Sequence, residues 1–187
     1  MSLTLEHRWE HALIAATVAA STNGSGQSHL GRTAIQKLLY FMNILGVPMR
    51  YNFDIHHYGP FCSSVMHDVE WLLADSVIED CSQESRYSLY VPGESWQELV
   101  KQYQEPLEQY RDQIQQVCRA LSDRSPRELE LIATLDFAFR WVRAGVGNGP
   151  WKKLTIEKFK SIKKEKFEDA EIDGSYDSLV RAGLIEG

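Results

Sequence analysis

The sequence predicts an α+β protein that is mostly helical: a winged-helix-like N-terminal core with a small antiparallel sheet, covered by a C-terminal helical half. Three observations point there. Residues 33–45 form a nearly continuous apolar run bounded by helix start and stop signals. The stretch YNFDIHHY, Tyr51 to Tyr58, alternates with the two-residue period of a strand. Two β-prone runs, Val77 to Cys81 and Arg86 to Val91, flank the polar loop Ser82 to Ser85, which is a hairpin pattern. With 187 residues and 43% hydrophobic content, one domain over 1–187 can bury a real core, divided into the winged-helix-like part at 5–92 and a helical subdomain at 93–187.

The elements follow in order. From His7 to Ala20 the spacing of Trp9, Ala12, Leu13, Ala16 and Ala20 predicts an amphipathic helix, ended by the Gly- and Ser-rich run Ser21 to Ser28, which has the composition of a mobile loop. The central helix starts at Thr33 as N-cap, with Gln36 three residues on completing a capping box, and stops at Gly46. Its apolar side chains, from Ile35 to Leu45, cover nearly every face, so other elements must surround it. After the strand, Gly59-Pro60 predicts a turn, and Val65, Val69, Leu72 and Leu73 predict a helix over Cys62 to Ala74. Helix, helix, strand, helix, hairpin is the order of a winged helix-turn-helix. Beyond Pro92-Gly93, Ser95 and Glu98 cap a helix that Pro106 kinks or restarts. Leu107, Tyr110, Ile114, Val117 and Leu121 then form a heptad-like stripe, which seeks a partner helix and would allow a dimer through 107–121. Ser125, Pro126 and Glu128 open a very apolar helix, Leu129 to Val142, as a second core element. A short basic helix near Thr155 to Lys164 and a last helix near Ser175 to Ala182 complete the chain.

Composition excludes several classes of function. No apolar run approaches the roughly 20 residues that span a bilayer, and no basic-then-apolar leader opens the chain, so the expectation is a soluble cytoplasmic protein with no membrane partner. Cys62, Cys81 and Cys118 are odd in number and form no CxxC pair, which argues for reduced thiols rather than a disulfide framework or zinc ribbon. Cys62 at a helix N-terminus, near His57 and His67, lacks a third catalytic member, and the spacing of His56, His57, Cys62 and His67 does not put metal ligands on one face. No catalytic residue, metal or cofactor is expected. Tyr40, Phe41 and Tyr58 are expected in the core around the turn.

Charge carries more information. From Tyr51 to Ser85 there is no Lys or Arg, so a DNA-reading role for the helix after Gly59-Pro60 is disfavoured. The acidic residues Asp68, Glu70, Asp75, Glu79, Asp80 and Glu84 instead suit a basic protein partner, although a plain solvated face has the same composition. Residues 152–167 carry 7 Lys and 2 Glu. Lys152, Lys153, Lys160, Lys163 and Lys164, with aromatics interleaved, are the candidate nucleic-acid patch, with local neutralisation by the acids after Phe167 as the competing reading.

Gln36-Lys37-Leu38-Leu39-Tyr40-Phe41 followed by Tyr58-Gly59-Pro60, together with Glu128 to Thr134 and Leu179 to Ile185, resembles the bacterial and phage family of Panacea or SocA-like antitoxin domains and the related uncharacterised YwgA-like proteins. The likeness spans most of residues 30–185. It implies action by binding, since members of the wider family neutralise a toxin and one kind delivers its toxin to a protease. The expectation is a non-enzymatic, antitoxin-like or adaptor-like interaction module whose partner is a protein, a toxin or a protease, with a winged-helix DNA-binding regulator using residues 152–166 as the alternative.

Overall fold

The computed structural model describes residues 6–22, 30–83, 87–145 and 149–187. The described residues are 64% helical and form two antiparallel sheets of two strands each, so the fold class is α+β, mostly helical. The Gly- and Ser-rich loop expected at 21–28 lies largely outside the described residues, Ser21 and Thr22 being helical. The chain divides into two compact units, Met1–Phe53 with Cys62–Arg124, and Asp54–Phe61 with Ser125–Gly187. The inner boundary expected near residue 92 is not where the contacts divide. The helical stretch from Trp96 to Leu121 packs on the first helix, whereas the segment 54–61 packs on the helix that begins at Pro126.

In the first unit, helix α1 (Trp9–Thr22) packs against α2 (Arg32–Ile44), α3 (Ser63–Ala74), α4 (Trp96–Gln102), α5 (Gln104–Gln109), α6 (Arg111–Leu121) and strand β4 (Tyr90–Pro92). An amphipathic helix was expected at this position. Instead Glu10 to Ala15, Thr17 and Val18 are all buried, because the alanines at 12 and 15 let neighbours approach on several sides. Helix α2 is buried from Ala34 to Met42, as its all-round apolar pattern requires. It ends in a Schellman-type closure: the Val47 N–H donates to Met42 O and Gly46 takes φ 87°, a conformation that glycine adopts without a Cβ penalty. Its start differs from the expectation. Gly31 is the N-cap with no side-chain cap, and Gln36 reaches across the unit instead of back to Thr33.

Helices α4, α5 and α6 break at Tyr103 and Tyr110, with Pro106 inside the middle piece. Ser95 is the N-cap of α4 but makes no side-chain cap bond. Ile114, Val117 and Leu121 are buried, and α6 packs on α1 and α2. The stripe expected to offer a dimer contact through 107–121 therefore spends these three residues inside its own unit. Strand β3 (Ile78–Asp80) pairs with β4 in the register Ile78↔Pro92 to Asp80↔Tyr90, so the connection is longer than the four-residue loop expected from the pattern.

The strand expected over Tyr51 to Tyr58 is three residues long, β1 (Asp54–His56), and pairs with β2 (Gly59–Phe61) in the second unit. The turn falls on His57-Tyr58, not on Gly59-Pro60. His56 pairs with Gly59, whose φ of 91° admits the tight reversal. Tyr51 and Phe53 leave the strand because their rings belong to an aromatic cluster with Tyr40. This second unit is organised on α7 (Pro126–Gly145), against which β2, α8 (Trp151–Lys163) and α9 (Asp169–Arg181) pack. Ser125 and Glu128 form the expected reciprocal cap, the Ser125 N–H donating to Glu128 Oε2 and the Glu128 N–H to Ser125 Oγ. Leu129, Leu135, Phe139, Phe159, Ile172 and Tyr176 fill the core.

Candidate interaction surface

Helix α3 follows directly from β2, with Cys62 as its N-cap. Its exposed residues are Ser63, Ser64, His67, Glu70, Trp71 and Ala74. At about 100° per residue these six fall within an arc of about 120°, opposite buried Val65, Asp68, Val69 and Leu72. Glu70 and Glu79 are exposed and Asp75 is half-buried.

Asp68 is not part of the exposed arc, which corrects the sequence assignment. It is 4% exposed and ties α3 to α1 and to the segments at Arg8 and Tyr51. The Tyr51 hydroxyl donates to its Oδ2 at 2.6 Å, Arg8 Nη2 donates to its Oδ1 at 2.5 Å, and His11 Nε2 stands 3.3 Å from Oδ1. Desolvation pushes the Asp68 carboxyl up, but hydrogen bonds from His11 and Tyr51 and the charge of Arg8 together hold it below the usual aspartate range. Burial, with the hydrogen bond to Asp68, pushes the Tyr51 hydroxyl well up. Asp75 is tied to His7 at 3.1 Å. Asp80 folds its own loop, accepting the N–H groups of Ser82 and Leu89, and Glu84 lies outside the described residues. Glu70 and Glu79 remain as the outward carboxylates.

The basic segment is largely neutralised inside the second unit. Lys152 Nζ lies 2.8 Å from Asp177 and 3.3 Å from Asp173, and Lys160 Nζ lies 2.7 Å from Asp169. Lys163 is buried, donating to Glu130 at 2.8 Å and to the His57 carbonyl at 2.6 Å, while Lys166 donates to both Glu130 oxygens. Although desolvation raises it, these two ammonium donors hold the Glu130 carboxyl below its ordinary value. Lys153 and Lys164 are exposed.

The motif residues have structural duties. The Gln36 amide pairs with the Cys62 backbone in both directions, Nε2 to the Cys62 carbonyl and the Cys62 N–H to Oε1, each at 2.9 Å. Lys37, Tyr40 and Phe41 are buried. Tyr58 was expected in the core but is 58% exposed at the hairpin tip, its ring 4.7 Å from that of His57 and under Lys166 Nζ. Gly59 and Pro60 are buried in β2. Cys62 and Cys118 are buried and Cys81 is exposed, all three free. Burial pushes the Cys118 thiol up to about 11. Among the described residues no group of three or more His, Cys, Asp or Glu is arranged to hold a metal ion, and no helix is long and apolar enough to cross a membrane.

Trp71 escaped the sequence reading, which followed only the apolar stripe Val65, Val69, Leu72 and Leu73. A signal was present: Trp71 sits four residues after His67 and three before Ala74, off that stripe. It is 49% exposed. A scan of known protein families finds no model that matches this chain, and a search of curated proteins finds no significant match.

Proposed function

We propose that this chain is a non-enzymatic protein-interaction module of winged-helix-like build, antitoxin-like or adaptor-like, acting in the cytoplasm through the acidic face of α3 and β3. The observation that supports this most is the exposed arc of α3. In a winged-helix reading this is the element that would enter a DNA groove, yet it carries Glu70 and lies in a stretch with no Lys or Arg from Tyr51 to Ser85. A phosphate backbone would be repelled there, whereas a basic protein surface would be attracted and steered. The resemblance to antitoxin domains points to the same mode of action. No specific observation favours DNA binding through residues 152–166, because Lys152, Lys160 and Lys163 are held in ion pairs within their own unit.

A photo-crosslinking side chain placed at position 70, and separately at position 153, tests the reading in the native host. The expected result is one protein adduct at position 70 and none at 153. Adducts to nucleic acid, or to no macromolecule at either site, would refute it.

A further inference from the structure

The hairpin from Asp54 to Phe61 is held in the second unit by charge more than by apolar burial. Its strands are three residues each, and a two-stranded ribbon is marginal in water by itself. Within it Gly59 and Pro60 are buried, which bring no side chain and one small ring to the core, while Asp54, His56, His57 and Tyr58 are exposed. Two contacts at the tip offset that weak grip. Lys163 Nζ donates to the His57 carbonyl at 2.6 Å, and Lys166 Nζ lies 5.1 Å from the centre of the Tyr58 ring. One carboxylate aims both lysines: Glu130 accepts from Lys163 at 2.8 Å, and from Lys166 at 2.8 Å and 2.9 Å. Hydrogen bonds from an ammonium are about twice as strong as neutral ones, and a cation over a ring adds to them. The chain on either side of the hairpin is fixed in the first unit. The Phe53 ring stands 5.6 Å from that of Tyr40, and the Gln36 amide holds the Cys62 backbone in both directions.

We infer that this hairpin is a strap that opens at its tip while α7, α8 and α9 stay folded, and that Lys163 and Lys166 are the latch that keeps it shut. The inference stands apart from the interaction-module reading above. The two lysines divide the work. The Lys163 side chain is 3% exposed and supplies the hold on the backbone, whereas that of Lys166 is 37% exposed and is the part of the latch that solvent reaches. Loss of either contact leaves Glu130 with the other ammonium, so the ionic core of the unit survives while the tip lets go. With its ends fixed and its tip free, the ribbon is returned to the marginal stability of an isolated hairpin, and its cross-strand hydrogen bonds break.

Hydrogen exchange of the full chain, read on peptides covering 54–61 and on peptides from α7, α8 and α9, tests the inference in the wild type, in Lys163→Met and in Lys166→Gln. In the wild type the hairpin amides are expected to exchange faster than those of α7, through an opening that the helices do not share. Lys163→Met, which keeps the length of the side chain and removes its charge, should speed exchange over 54–61 about tenfold, the loss expected for one charge-assisted hydrogen bond. Lys166→Gln should speed it by less, and both should leave the three helices within about twofold of wild type. Should Lys163→Met fold poorly, Lys166→Gln, at a partly exposed position, carries the test alone. Exchange that rises by the same factor in the helices as in the hairpin overturns the inference, because the lysines would then be plain core contacts. Hairpin exchange unchanged in Lys166→Gln, or as slow as that of α7 in the wild type, overturns it as well.

Discussion

Replacing Asp68 separates a structural carboxylate from a binding one. Asp68→Ala removes the acceptor of the buried Tyr51 hydroxyl, and leaving such a group unpaired costs about 1–3 kcal/mol. It also strips the counter-charge from Arg8, which is half exposed, so that loss adds about 1 kcal/mol at most. The total is about 3 kcal/mol for Asp68→Ala and about 1 kcal/mol for Asp68→Asn, which keeps an acceptor for Tyr51. Urea denaturation at pH 7 measures it, with hydrogen exchange of α1 and α3 peptides reporting the first unit. The pH dependence has a definite sign. Because the folded-state carboxyl lies below its ordinary value, its contribution is fully present above the unfolded aspartate value. It is lost as the pH falls through the depressed folded one, so the gap between wild type and Asp68→Asn should close in acid. Glu70→Ala, on the exposed arc, should change stability by less than about 0.5 kcal/mol. If Asp68→Ala proves as harmless as Glu70→Ala, the buried-network argument is wrong and Asp68 returns to the surface.

Glu130→Ala should destabilise the second unit by about 3–5 kcal/mol, since it strands the buried Lys163 ammonium. A combined Glu130→Leu and Lys163→Leu variant should be markedly milder in the same thermal melts, and equal losses would contradict the ion-pair account. Gln36→Ala should cost about 2 kcal/mol, one net hydrogen bond of about 1 kcal/mol in each direction, and should speed amide exchange at Cys62. Gln36→Glu should fare no better, because a carboxylate cannot donate to the Cys62 carbonyl. Gly59→Ala should cost about 1–2 kcal/mol through the φ of 91° at the hairpin, visible as faster proteolysis after Tyr58. Charge reversal at exposed Lys153 and Lys164 should leave both stability and low-salt duplex DNA retention at wild-type level. Salt-sensitive DNA binding abolished by that reversal would revive the regulator reading.

Signals that act within one turn of helix were legible in the sequence. The Ser125 to Glu128 cap, the Gly46 stop and the all-round burial of α2 depend on neighbours a few residues away, so spacing alone identifies them. The Gln36 reading failed for the complementary reason: a glutamine three residues past a threonine fits a capping box, but the Cys62 backbone, 26 residues on, offers it two partners at once. The arc of α3 lay between these cases. Its apolar stripe was visible, and the face opposite, with Trp71 at its edge, followed from the same helical period.

By itself the sequence determined the mostly helical α+β class, the approximate helix spans and the absence of cations between Tyr51 and Ser85, because propensity, local capping and charge are properties of short segments. Tertiary structure alone decided which charges face water. Asp68 is buried because Arg8, His11 and Tyr51 converge on it, and Lys163 because Glu130 and the His57 carbonyl do. Those partners lie 17 to 106 residues away along the chain. An ionised side chain is stable in the interior only where such distant groups replace its water, and no local pattern specifies that they will.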